Sequence, residues 1–308
     1  MPTLSIIVVN YNTRDSLRRC LKTLGTEHEL IVVDNASRDD SAQMVELEFP
    51  HVKLIANKKN RGFGPGANQG IAAMTGELGM LMNADCRPRA DSVRRLVEAF
   101  GEAPDAVAVG PRLVFPNGKT QPSAANALTL WAVFCEQTGL QKLFPWTRIF
   151  APYWESDRLM NQSGPVHQVD QIMGACIVFK PLIKFDEDYF LYCEDTDFCH
   201  RLSQFGLLYY VKDAVFEHDL GASSRFFRWE TIARYNRGKE LFFEKHYGKA
   251  AKEVCIFINR CGALSRLLIW FLLLILSFGA WKTAWEKSHQ WWKVLFVPRR
   301  GPDLPKDA

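Results

Sequence analysis

The chain has 308 residues, enough for one large α/β domain or one such domain with an appendage. Its 47% apolar content excludes whole-chain disorder. The net charge of +4 is unevenly spread: from Lys249 onward ten Lys/Arg face four Asp/Glu, so this tail is +6 and the remainder −2. Such a tail points to an anionic membrane surface and away from nucleic acid.

Eight cysteines include no CxxC pair, which argues against a zinc ribbon, a thioredoxin-like site or a disulfide framework, and favours a reducing compartment. No basic region precedes the first apolar run, so the N-terminus reads as a core strand and not as a signal peptide.

In chain order, Leu4–Asn10 is a continuous β-branched run, as in a strand buried on both faces. Asp15–Leu24 has helical spacing, Leu30–Asp34 reads as a strand, Ser41–Phe49 as a helix and Val52–Ala56 as a strand. Gly66–Ala73 follows as a helix, Leu78–Asn83 as a strand, Ala90–Phe100 as a helix and Ala106–Gly110 as a strand. This alternation predicts an α/β fold with a Rossmann-like, mostly parallel sheet flanked by helices. Ligands in such sheets sit beyond the carboxyl ends of the strands.

From Arg112 to Val169 the rhythm is lost among Pro, Gly and scattered aromatics, as in a loop-rich insert shaping a substrate cleft or an ordinary surface excursion. Regular pattern returns with a strand at Ile172–Phe179, a helix at Asp195–Phe205, a strand at Leu208–Val215 and a long helix at Trp229–Tyr247.

Polar residues follow four consecutive strands: Asn10-Tyr11-Asn12-Thr13, Asp34-Asn35-Ala36-Ser37, Asn57 to Asn60, and Asn83-Ala84-Asp85. Each alone is an ordinary cap or turn. All four on one rim are a candidate site. The run Gly62-Phe63-Gly64-Pro65-Gly66 has neither the spacing nor the position of a dinucleotide-binding loop, and no GxxxxGK[ST] is present. What remains is Arg61 on a turn before a helix N-terminus, a suitable place for a diphosphate.

In order and spacing, Ser5–Asn12 (SIIVVNYN), Val33–Ser37 (VDNAS), Asn60–Gly64 (NRGFG) and Asn83–Asp85 (NAD) resemble the motifs of family 2 glycosyltransferases with the GT-A fold, bacterial rhamnosyltransferases among them. The resemblance covers about residues 4 to 247. It implies a domain over 1–248, with a nucleotide-sugar half at about 1–111 and an acceptor half at about 112–248, followed by a membrane-associating tail at 249–308.

By this resemblance Tyr11 and Asp34 contact the nucleotide base, Asn12 lies in the same site, and Arg61 lies near the base or diphosphate. Asn83-Ala84-Asp85 stands where the family has DxD. A divalent cation, Mg2+ or Mn2+, would be held there by Asp85, with Asn83 as a neutral ligand and His218 as a further one. Glu194-Asp195-Thr196-Asp197 matches the acidic acceptor motif. Asp195 is then the general base, Glu194 positions the acceptor hydroxyl, and Asp197 caps the helix or binds acceptor. Small residues at Gly174 and Ala175 would let a sugar approach the backbone.

The implied activity is inverting transfer of a sugar, L-rhamnose being a candidate, from a nucleoside-diphosphate sugar to a glycan or polyprenyl-linked glycan. A non-catalytic nucleotide- or sugar-binding module is the alternative, with Asn83 in its favour. A nucleotidyltransferase ranks lower, because no triphosphate loop opens the chain.

In the tail, Leu267–Trp281 is apolar but only about 15 residues long, short of a bilayer span. Basic residues flank both ends, and five of the nine tryptophans lie here. An in-plane or re-entrant anchor is expected, which would place the protein at the cytoplasmic face of the plasma (inner) membrane as a peripheral or monotopic protein.

Overall fold

The computed structural model describes residues 2–219, 228–278 and 281–297. The β-branched run at the N-terminus forms β1 (Leu4–Asn10), every residue of it buried. It leads through α1 (Arg14–Leu24), β2 (Glu29–Asp34), α2 (Ser41–Glu48), β3 (Lys53–Ala56), α3 (Phe63–Ala73) and β4 (Leu78–Asn83). Short β5 (Cys86–Pro88), α4 (Ser92–Glu102) and β6 (Ala106–Val114) follow. These elements fall close to the expected positions, because the alternation of hydrophobic periods is strong there.

The middle segment is more regular than expected. It holds β7 (Ala124–Ala125), α5 (Leu130–Thr138), α6 (Leu140–Leu143), α7 (Ser156–Leu159) and β8 (Val166–Val169). The strand expected at Ile172–Phe179 divides into β9 (Gln171–Ile172) and β10 (Cys176–Phe179), separated by a turn through Gly174. Then come α8 (Glu194–Leu202), β11 (Leu207–His218), α9 (Arg228–Leu276) and α10 (Lys282–Phe296).

The main sheet runs β3-β2-β1-β4-β10-β6-β11-β5, with β8 also on β11, and β7 and β9 form a separate pair. The first four strands of that order are parallel, so Asn10, Asp34 and Asn83 all end at one rim. Strand β10 is antiparallel to β4, pairing Cys176 with Met82, so the turn that precedes it reaches the same rim. Strand β11 pairs antiparallel with β5, His218 opposite Cys86, and brings its own carboxyl end there too. Apolar side chains pack on both faces of the sheet, one layer against α1, α2 and α4 and the other against α3 and α8.

The chain divides into two units, one of Met1–Ala127 with Trp154–Ser223, the other of Leu128–Tyr153 with Ser224–Ala308. This differs from the boundary expected at 248/249. Gly248 (φ 85°, ψ 175°) breaks helical geometry within α9, so the range is two helices meeting at a kink, the first of them close to the helix expected at Trp229–Tyr247. That first helix is already committed to helix packing: buried Lys239 pairs with Glu136 at 2.8 Å, and Gln137 bonds Asn236. Helix α5, from the supposed cleft insert, therefore belongs to the helical unit.

Candidate active site

Two turns meet at the rim of the sheet unit. After β4 the chain continues through Asn83-Ala84-Asp85 into β5, and Asp85 is almost fully buried. Beside it, His218 Nε2 lies 3.3 Å from Asp85 Oδ1, and the Asp219 N–H donates to the Asp85 carbonyl. Gln121 fixes the imidazole: its Nε2 donates to the His218 carbonyl at 2.6 Å, which turns its Oε1 to His218 Nδ1 at 2.9 Å. Nδ1 then carries a proton, and a neutral ring would present the Nε2 lone pair beside the carboxylate, two acceptors that a divalent cation could bridge. The residues therefore fit a metal, as the pair expected from the sequence. Among the described residues no cluster of three His, Cys, Asp or Glu side chains could hold an ion, so further ligands would have to come from substrate or water. Asn83 donates its N–H to the Ala175 carbonyl, and its side chain is half-buried at the strand end.

The second turn carries the acidic motif. Tyr192 and Cys193 both adopt positive φ (75° and 66°), a strained entry that starts α8 at Glu194. Asp195 is partly exposed, and its carboxylate accepts from the Gly174 N–H at 2.8 Å and the Thr196 N–H at 2.8 Å. Burial raises its pKa, against the lowering effect of those bonds. Glu194 is more deeply set, and burial, with repulsion from Asp195, pushes its carboxyl up to about 8. One of its oxygens, Oε2, is buried with no hydrogen-bond partner among the described residues. The Asn83–Ala175 and Gly174–Asp195 bonds join the two turns, so Asp85 and Asp195 stand on the same rim.

The bonding revises several expected roles. Gly174 lacks a side chain because Asp195 occupies the place: an added Cβ would sit 3.0 Å from Asp195 Cβ. Ala175 is buried in the core and its carbonyl accepts from the Asn83 N–H, so both residues are built into the turn that joins β9 to β10. Asp197 is fully buried and paired with Arg201 at 2.7 Å, one helical turn on, which makes it part of the scaffold of α8 and not an acceptor ligand.

On the nucleotide side, Asp34 is 2% exposed and accepts from Asn10 Nδ2, Ser37 Oγ and the Ser37 N–H. Asn12 sits at φ 52°, with its Oδ1 accepting from the Arg38 N–H at 2.7 Å. Both hold the β1 and β2 turns together; of the expected nucleotide residues Asn12 and Arg61 are exposed and Tyr11 is half-buried.

Two residues that the sequence did not single out, Gln121 and Asn68, and one that it placed only in a glycine run, Gly62, matter here. Gln121 orients His218 from the loop after β6. Asn68 clamps the backbone of Phe185 through both ends of its amide and bonds Glu187. Gly62, at φ 96°, lets the Phe63 N–H reach the Phe190 carbonyl at 2.9 Å. The Asn60–Gly64 loop and the acidic stretch are thereby locked face to face. Partners so far apart in the chain leave no local pattern to find.

The sequence signature of glycosyl transferase family 2 matches residues 5–154. The chain is 27% identical over 274 residues to the N-acetylglucosaminyl-diphospho-decaprenol L-rhamnosyltransferase of Mycobacterium tuberculosis, a match covering 80% of this chain and 85% of that one. It is 32% identical over 114 residues to the undecaprenyl-phosphate 4-deoxy-4-formamido-L-arabinose transferase of Klebsiella pneumoniae, covering 33% and 35% of the two. Among solved structures it shares the fold of the mannosyltransferase PcManGT from Pyrobaculum calidifontis, bound to GDP-Man and Mn2+ (TM-score 0.55, 14% identity, 96% of this chain and 85% of that one). It also shares that of GalNAc-T7 with UDP, GalNAc and Mn2+ (TM-score 0.54, 15% identity, 84% and 55%).

Proposed function

We propose that this chain, which matches the glycosyl transferase family 2 signature over residues 5–154 and is similar to a rhamnosyltransferase over most of its length, is a metal-dependent enzyme that inverts the sugar it transfers. The donor is a nucleoside-diphosphate sugar, dTDP-L-rhamnose being the candidate. The acceptor is a hydroxyl of a glycan on a polyprenyl carrier, at the cytoplasmic face of the membrane. The observation that carries this reading is the shared rim of Asp85, His218 and Asp195.

Asp85 and His218 would hold a divalent cation, with Asn83 beside them, and the cation would offset the charge of the departing diphosphate. Tyr11 and Arg61 would receive the nucleotide, over turns braced by Asp34 and Asn12. Asp195, aimed by Gly174 and Thr196, takes the proton of the attacking hydroxyl as the new glycosidic bond forms. Glu194, kept protonated near neutral pH by burial, offers a hydrogen bond to that hydroxyl from its unpaired oxygen. Direct attack from the Asp195 side, opposite the leaving diphosphate, inverts the anomeric centre.

The test is a thermal-shift screen of nucleoside diphosphates with and without Mn2+, followed by turnover of Asp85→Ala and Asp195→Ala on the preferred donor. Metal-dependent stabilisation lost in Asp85→Ala, and no transfer by either variant, is the expected result. Full turnover by both variants refutes the assignments. A binding module on the same fold remains the second reading because Asn83 withholds one charge from the metal site. Absence of diphosphate release from every donor and acceptor tried would favour it.

A further inference from the structure

The exposed large apolar side chains are very unequally shared. Among the described residues Leu47, Leu182 and Phe205 are the only ones in the sheet unit, and all the others belong to the helical unit. Charge divides the same way. The helical unit has eighteen Lys/Arg against eight Asp/Glu, a net +10, which leaves the sheet unit at −6 within the whole chain's +4.

On α9 the exposed residues Phe257, Leu264, Leu268, Leu272 and Ile275 recur at helical spacing as one stripe, about 27 Å long at ~1.5 Å per residue. On the opposite side two arginines reach neighbouring helices, while beyond them exposed Ile269, Phe271 and Leu276 leave the helix open outside the stripe as well. Arg260 donates to the Val294 and Val297 carbonyls at the end of α10, and Arg266 to the Glu136 and Gln137 carbonyls at the end of α5. Crossing a bilayer would drag these charges, and Glu286 and Lys287 of α10, into hydrocarbon. Although α9 is long and apolar enough to span, its packing suits a helix lying along the surface.

A second apolar element, in the segment expected to shape a substrate cleft, has no role in the site described above. Trp131 stacks on Phe134 with ring centroids 5.3 Å apart and donates its indole N–H to the Ile149 carbonyl. Phe144 packs edge-on against Trp146 and at a tilt of 40° against Phe150. Leu143, Trp146 and Ile149 are 65%, 73% and 66% exposed, beside Lys142 and Arg148. A preformed exposed aromatic cluster edged by basic residues is costly in water and suited to the headgroup layer. The Arg266 bonds tie the carboxyl end of α5, from which the cluster leads on, to α9 where its uncharged stretch begins.

We propose that Trp131, Phe144 and Trp146, with their neighbours on the 130–150 segment, form a second membrane-docking element that inserts into the headgroup layer of an anionic bilayer. The proposal rests on the membrane reading given above and adds a site outside the C-terminal tail. Its place on the membrane is peripheral, with α9 in the plane.

The test uses the full-length protein and sedimentation with sucrose-loaded vesicles, either of phosphatidylcholine alone or with phosphatidylglycerol added. The wild type should pellet with the anionic vesicles only. A Trp131→Ser/Phe144→Ser/Trp146→Ser variant should partition roughly tenfold or more weakly. Trp146→Cys in a Cys261→Ser background, labelled with a polarity-sensitive fluorophore, should shift to the blue on vesicle addition. Undiminished pelleting of the triple variant, or a label that stays in water, overturns the docking role of this segment while leaving the tail as anchor. Failure of the wild type to pellet overturns the membrane reading itself, and equal pelleting with neutral vesicles overturns the electrostatic part.

Discussion

Gln121 holds His218 by both of its amide atoms, Oε1 accepting from the Nδ1–H and Nε2 donating to the His218 carbonyl. The pair is buried, and it turns Nε2 to face Asp85 at 3.3 Å. Gln121→Leu removes the hold but neither proposed ligand. Apparent Mn2+ affinity, titrated in the presence of nucleoside diphosphate, should fall by roughly 10–100-fold. His218→Ala should fall at least as far. Unchanged Mn2+ affinity in both variants would remove His218 from the metal site.

The acidic pair should give the transfer rate a dependence on pH set by burial. Asp195 acts as base only when ionised, and its raised pKa moves the acid limb of kcat above the usual carboxylate range. Asp195→Asn should cost on the order of 10²–10⁴ in kcat with nucleotide binding kept. A kcat within a few-fold of wild type would exclude it as base.

Glu194 should also be visible in stability. Its folded pKa, about 8, lies above the ordinary value, so the folded state binds more protons than the unfolded one. Stability is then fully present below about pH 4.5 and declines as pH rises toward about 8. Glu194→Gln should flatten that decline, seen as a smaller loss of Tm between pH 6 and 9. An identical pH profile in wild type and variant would contradict the assignment.

Gly62 is required by two independent constraints, a φ of 96° and the Phe190 carbonyl 2.7 Å from where a Cβ would stand. Gly62→Ala should destabilise by about 1–3 kcal/mol and loosen the loop that carries Arg61. Thermal denaturation and nucleotide affinity should both fall. A variant with wild-type Tm would show that the loop contact is dispensable.

Asp197 separates a structural from a binding role. Removing it takes the buried partner from Arg201, which is 28% exposed and keeps its bond to the Lys184 carbonyl, a change worth about 1–3 kcal/mol. Asp197→Ala should therefore lower the denaturation midpoint sharply. If Tm holds and only the KM for acceptor rises, the acceptor role first expected of it is restored.

The sheet unit was legible in the sequence because its information is local. A strand buried on both faces must be a β-branched run, as Leu4–Asn10 is, and parallel order puts the residues after β1, β2 and β4 at one rim. The NAD and acidic motifs could be placed there from pattern and resemblance alone. What each side chain does at the rim was not legible. Asp34, Asn12 and Asp197 have the composition of ligands, but their oxygens are spent on Ser37, Arg38 and Arg201.

Residues 128–153 had no periodicity to read, since their partners lie on α9 beyond the whole second half of the sheet. Sequence by itself determined the α/β alternation, the rim and the positive, tryptophan-rich end, because these follow from the repeat and polarity of neighbouring residues. Tertiary structure alone decided that Gln121 aims His218, that Gly174 makes room for Asp195, and that α5 joins the helical tail. Each of these depends on which distant groups consume a given hydrogen bond or surface, and a linear pattern does not encode that.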